Sequence, residues 1–189
     1  AGLARHDRGT ISVAGMQRET AIPEGWARRF GYVGSDPGIP LWMTPAESLD
    51  LAARLAGIDG AERQRRVEES LQHYQLGAIR DRPLRHAGRI TLERTSLAAA
   101  LLPDPEVLLL DEPLRAHTPA ERTRMLRIPG DRRTVLIASR YPAQQTGVVD
   151  RVVLIRDGRV ALDAPISQLD AHRLTLSLRG LTALADLPS

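Results

Sequence analysis

The sequence predicts an α/β protein with a parallel core sheet, and three observations carry that reading. First, the apolar run Val107–Leu110 leads straight into Asp111-Glu112-Pro113. A short continuous apolar run fits a strand buried on both faces, as in a sheet flanked by helices. Second, Thr134–Ser139 (TVLIAS) reads as another buried strand. Third, the segments between and before these runs repeat their apolar residues at helical spacing. Pro113 cannot donate to a ladder, so the first strand ends just past the acidic pair. Two carboxylates then stand at the carboxyl end of a central strand, where open α/β sheets place their ligands. Paired acids there suit magnesium handling and the positioning of a water for attack on phosphate. The plainer alternative is a strand end with two solvated acids.

Residues 1–34 read as short strands, at Thr10–Ala14 after the Arg8-Gly9 turn and at Phe30–Val33. Ser35-Asp36-Pro37-Gly38 is a turn, followed by a loop carrying Trp42-Met43. Thr44-Pro45-Ala46-Glu47 is a helix start, with a Thr cap, Pro at the first position and Glu three after the cap. That helix runs over Pro45–Ala56 with Leu49, Ala52 and Ala53 on one side, and Gly57–Gly60 breaks it. A second amphipathic helix over Ala61–Tyr74 aligns Val67, Leu71 and Tyr74. Its charged face, from Glu62 to Glu69, is read as solvent-facing. A third helix over 91–102 is buried on most sides, and Pro103-Asp104-Pro105 turns it into the central strand. Pro119–Leu126 is a helix, Arg151–Leu162 a hairpin turning at Asp157-Gly158, and Pro165–Ala171 a short helix. Residues 173–189 alternate and then turn helix-like.

Composition narrows the function classes. The 189 residues fit one domain with a small appendage. There is no cysteine, which excludes disulfides and thiolate metal sites and fits a cytosolic protein. No apolar run approaches the ~20 residues of a membrane span. The net charge of +3 is spread among acids, so it is weak evidence for nucleic acid. All 26 basic residues are arginine. A Walker A phosphate loop ends in Lys-Ser/Thr because the lysine reaches the β- and γ-phosphates, so this sequence contains none.

The order of segments from Ala1 to about Ala171 resembles the nucleotide-binding subunit of an ATP-binding cassette (ABC) transporter, of the bacterial drug- or antibiotic-export type. GYVGSDPG at 31–38, WMTPAESL at 42–49, AAALLPDPEVLLLDEPL at 98–114, TVLIASRYPAQQ at 134–145 and DRVVLIRDGRV at 150–160 carry the match in the family's order and spacing. The resemblance implies a P-loop NTPase-like cassette with a parallel core sheet, a helical subdomain at about 40–100 and a C-terminal β-hairpin. Residues 1–171 would form that domain, and 172–189 the start of a C-terminal extension. Ala1-Gly2-Leu3 would be the last turn of the helix after the phosphate loop, so the strand, loop and helix that hold ATP, and the adenine-stacking aromatic, are expected to lie outside this chain.

The family's site residues map onto this sequence with substitutions. By resemblance Asp111 would hold magnesium through water, and Glu112 would be the general base, vestigial without a phosphate cradle. The Q-loop glutamine falls at Ser35, whose reach is too short for that role. The LSGGQ signature falls on Ala87-Gly88-Arg89-Ile90-Thr91, where close approach of a γ-phosphate needs residues without bulk. The D-loop aspartate falls at Thr118 and the switch histidine at Arg140. Arg140 is expected to pair with Asp111 or Glu112, because residues just past neighbouring strand ends face one crevice.

Three functional readings follow. One is a degenerate cassette that binds no cofactor strongly, with ATP and magnesium implied by the family alone. It would support export by pairing with an active ATP-binding subunit and a transmembrane permease, as a cytoplasmic protein peripheral at the inner face of the cell membrane. Trp42 and Met43 would offer the permease an apolar, adaptable contact, or else pack under the helix at 45–56. The second is a fragment of an active transporter ATPase. The third, a nucleic-acid-associated cassette, wants a second cassette or a coiled-coil insertion and a basic patch, none of which is visible. The first accounts for the most substitutions.

Overall fold

The computed structural model describes residues 6–13, 15–18, 25–126, 133–140 and 147–169. The expected C-terminal extension at 172–189 lies outside them. The chain divides into two compact units, one of Ala1–His117 with Gly130–Ser139, the other of Thr118–Pro129 with Arg140–Ser189.

The first unit opens with a small antiparallel hairpin, β1 (Ile11–Val13) and β2 (Met16–Arg18); β2 was not singled out in the sequence. Buried Trp26 stacks at a tilt on Phe30, with ring centroids 5.3 Å apart, and leads into β3 (Phe30–Val33). β3 pairs in parallel with β4 (Val107–Asp111), which pairs in parallel with β5 (Thr134–Ala138). The helical segment between β3 and β4 holds α1 (Pro45–Leu55), α2 (Gly60–His73) and α3 (Arg89–Leu101).

Local chemistry explains these helices. Thr44 and Glu47 form a reciprocal capping box, with Glu47 N donating to Thr44 Oγ1 at 3.1 Å and Thr44 N donating to Glu47 Oε2 at 2.9 Å. α1 buries Leu49 and Ala53, and α2 buries Leu71, with Tyr74, Leu76 and Leu84 closing the same core. The outer face of α2 is laced by Arg65 and Arg66, both bonded to Glu62. These two guanidiniums hold the Glu62 carboxyl down to about 2.

The register decides which side of the sheet is covered. Gly31, Val33, Leu108, Leu110, Val135 and Ile137 share one face, and α3 packs on it. A Cβ at Gly31 would lie 2.6 Å from the Ala100 carbonyl oxygen, so only glycine lets α3 come this close. Tyr32, Leu109 and Leu136 share the other face, where Tyr32 is 51% and Leu136 64% exposed. The expectation that 134–139 is buried therefore needs correction: among the described residues β5 is the outer strand of this sheet, and its Thr134, Leu136 and Ala138 are exposed.

The second unit contains α4 (Pro119–Leu126), begun by Thr118, which accepts from Glu121 N at 3.3 Å. It also contains the hairpin of β6 (Arg151–Arg156) and β7 (Arg159–Pro165). Asp157 and Gly158 both have positive φ, 49° and 72°, as a two-residue turn matched to strand twist requires. Arg151 grips Asp163 across the hairpin through two bonds of 2.6 and 2.8 Å, which lowers the Asp163 carboxyl. A single 3-10 turn, Ile166–Gln168, stands where the short C-terminal helix was expected.

Candidate functional site

β4 delivers the acidic pair, but the pleat parts the two side chains. Asp111, paired in register with Ala138, stands on the face of Leu109, away from α3. Glu112 leaves the ladder with φ 47°, anchored by its N–H on the Ala138 carbonyl at 2.9 Å. It lines a narrow crevice on the α3 side, together with Gly34, Pro37, Arg89, Glu93 and Leu114. Leu114, buried, also has positive φ, 53°. Two left-handed non-glycine residues within Asp111-Glu112-Pro113-Leu114 place backbone strain of about 1–3 kcal/mol each at this turn.

Ser35 sits in the exposed loop after β3, and Gly88 caps α3 with an extended conformation (φ −74°, ψ 166°) and no side-chain bond. Arg89, the first residue of α3, turns back into the unit. Its Nε donates to Glu93 Oε1 at 2.8 Å and its terminal nitrogen to the Ser35 carbonyl oxygen. The structure thus brings Ser35, Arg89 and Glu112 to one place in the first unit. Arg140, exposed after β5, belongs to the second unit.

The residue that organises this place was missed in the sequence. Glu93 is only 5% exposed, and its Oε2 accepts from Ala116 N at 3.2 Å and contacts His117 Nδ1 at 3.1 Å. Arg94 Nε donates to His117 Nε2 at 3.2 Å, which fixes the ring proton on Nδ1, pointing at Glu93. The available signal was spacing: Glu93 stands in the same i+4 row as Leu97 and Leu101, both buried. A carboxylate in an apolar row is buried only when partners satisfy it.

Magnesium, implied by the resemblance, is not caged by these residues. The two carboxylates point to different sides, and among the described residues no group of three His, Asp or Glu gathers. Magnesium bound through one or two carboxylates fills the rest of its octahedral shell with waters and substrate phosphates.

Comparison with known proteins agrees with this architecture. The family model described as ABC transporter matches residues 1–115. An ABC transporter ATP-binding protein of Streptomyces coelicolor is 30% identical, over 93% of this chain and 71% of its own length. The daunorubicin/doxorubicin resistance ATP-binding protein DrrA of Streptomyces peucetius is also 30% identical, over 89% of this chain and 52% of its own. The cobalt import ATP-binding protein CbiO of Rhodobacter capsulatus is 31% identical, over 82% and 58%. A solved ATP-binding subunit of an ABC transporter superposes with a TM-score of 0.76 at 26% identity, over 95% of this chain and 75% of that one. A cassette-type α/β domain with a parallel sheet, a helical segment and an antiparallel hairpin is the class defined here. The chain belongs to the ABC transporter family, as an ATP-binding domain.

Proposed function

We propose that this chain is a degenerate ATP-binding cassette that supports transport by pairing with an active ATP-binding subunit and a transmembrane permease, without hydrolysing ATP itself. The observation that carries the reading is Arg89. At the position where the family presents small residues to a γ-phosphate, this chain has a guanidinium already committed to Glu93 and Ser35. The absence of lysine supports the same reading, since phosphoryl transfer depends mostly on positioning and electrostatic stabilisation. In this proposal Asp111 and Glu112 are remnants of the metal and general-base positions. Ser35, Gly88, Arg89 and Arg140 occupy the Q-loop, signature and switch positions.

The partner surface is the loop before α1, where Trp42 is 72% exposed and therefore does not pack beneath the helix. No helix among the described residues is long and apolar enough to cross a membrane, so the proposal seats the domain against a permease at the inner membrane face. Relatives named for drug resistance and for cobalt import both match, so the cargo is not carried over from either.

The test is ATP turnover by the purified chain with magnesium, beside Glu112→Gln. We expect no turnover that depends on Glu112; turnover abolished by E112Q overturns the proposal. One observation favours a second reading, part of a longer active ATP-binding protein: the chain spans between 52% and 71% of these three relatives' length. Glu112-dependent turnover by a longer product of the same gene would select it.

A further inference from the structure

We infer that the β6–β7 hairpin is a docking surface for the chain's own tail: the segment 173–179 lies on its outer face, with Leu174, Leu176 and Leu178 covering Val153, Ile155 and Val160. The inference goes beyond transport and needs no nucleotide.

The hairpin is apolar on both faces. Cross-strand partners share a face, so Val152 with Ala164 and Leu154 with Leu162 make one side, and all four are half-buried. Val153, Ile155 and Val160 make the other, 51%, 68% and 63% exposed, beside the Arg151–Asp163 pair. A hairpin with a water-facing side alternates apolar and polar residues. The run Val152-Val153-Leu154-Ile155 does not alternate, and has the pattern of a strand covered twice. Two strands alone are also marginal in water without something packed against them.

The tail carries the complementary pattern. Its leucines alternate with Arg173, Thr175, Ser177 and Arg179, so one side of the segment is apolar and the other polar. An extended segment repeats each side about every 6.6 Å, the repeat that also separates Val153 from Ile155. Seated on the hairpin, the leucines exclude water from the three β-branched side chains and leave the polar residues to solvent. The tail is also within reach. It belongs to the same compact unit as the hairpin, and only the turn Ile166–Gln168 follows β7 before it. The face from Arg151 to Ile155 is about 13 Å long, and the chain from Leu169 to Leu174 spans up to about 17 Å. A second copy of the chain would have to compete with a tethered segment, whose effective concentration is on the order of millimolar.

The sequence has no cysteine, so one introduced thiol reports one position. In the full chain carrying Val153→Cys, reaction with a maleimide should be about tenfold slower than in the same protein with Leu174→Ser, Leu176→Ser and Leu178→Ser. Val152→Cys, on the opposite face, should change by less than about twofold when the leucines are replaced. Equal reactivity of the Val153→Cys thiol with and without the leucines overturns the docking. An equal acceleration at both thiols also overturns it, since the hairpin would then be opening as a whole. Protection at Val153→Cys that grows with protein concentration assigns the face to a second copy, and overturns the tail as its occupant.

Discussion

Replacing Glu93 with leucine removes the acceptor on which α3 and the loop after β4 meet. Of its donors only His117, whose side chain is fully buried, lies in the interior; Ala116, whose N–H also bonds this carboxylate, is an exposed residue. A bond to a charged acceptor contributes about 1.5–3 kcal/mol, and the orphaned His117 loses that without water to replace it. Arg89 is nearly half exposed and rehydrates, so its loss adds little. Against this, leucine no longer has to be desolvated as an ion, which offsets part of the penalty. The net expectation is a destabilisation of about 1–3 kcal/mol. Trp26 is buried in the same unit, so its fluorescence in a Trp42→Phe background reports the unfolding of that unit. For a chain of this size the melting midpoint should fall by about 2–12 °C. Glu93→Gln, which keeps an acceptor oxygen of the same reach, should lose about half as much. A Glu93→Leu protein within about 0.5 kcal/mol of the parent would refute the view that this carboxylate joins the two segments.

Gly31→Ala should destabilise the first unit by about 2 kcal/mol or more in urea, since its Cβ meets backbone at Ala100 and α3 must shift; a neutral result would mean that α3 stands further from β3. Glu62 has a folded-state value of about 2 against an ordinary 4.5, so its ion pairs stabilise fully above pH 4.5 and lose that contribution as pH falls through the folded value. Thermal scans of Glu62→Gln and the parent should therefore converge as pH approaches 2, and a constant gap would contradict the assignment. Trp42→Ser should leave the melting curve of the isolated chain unchanged, because the indole is mostly exposed, and should weaken co-purification with a permease; a drop in stability would show that the ring packs within the domain.

By itself the sequence determined the elements whose causes are local. The capping box at Thr44, the Asp157-Gly158 turn, the apolar run ending at Asp111 and the proline-started helix Pro119–Leu126 are all set by residues within a few positions of one another. Tertiary structure alone decided what depends on register and on contacts far along the chain. Whether Thr134–Ala138 is covered on both faces depends on which strands and helices flank it, and the register leaves Leu136 exposed. The two acids read as one pair, yet the pleat and a left-handed residue at Glu112 send them to different sides. Arg89 read as bulk in a phosphate-facing turn; only folding brings the Ser35 carbonyl, 54 residues away, and the buried Glu93 within its reach. A helix start looks the same in sequence whether its first side chain faces solvent or closes a crevice, because the partners that decide it come from other strands.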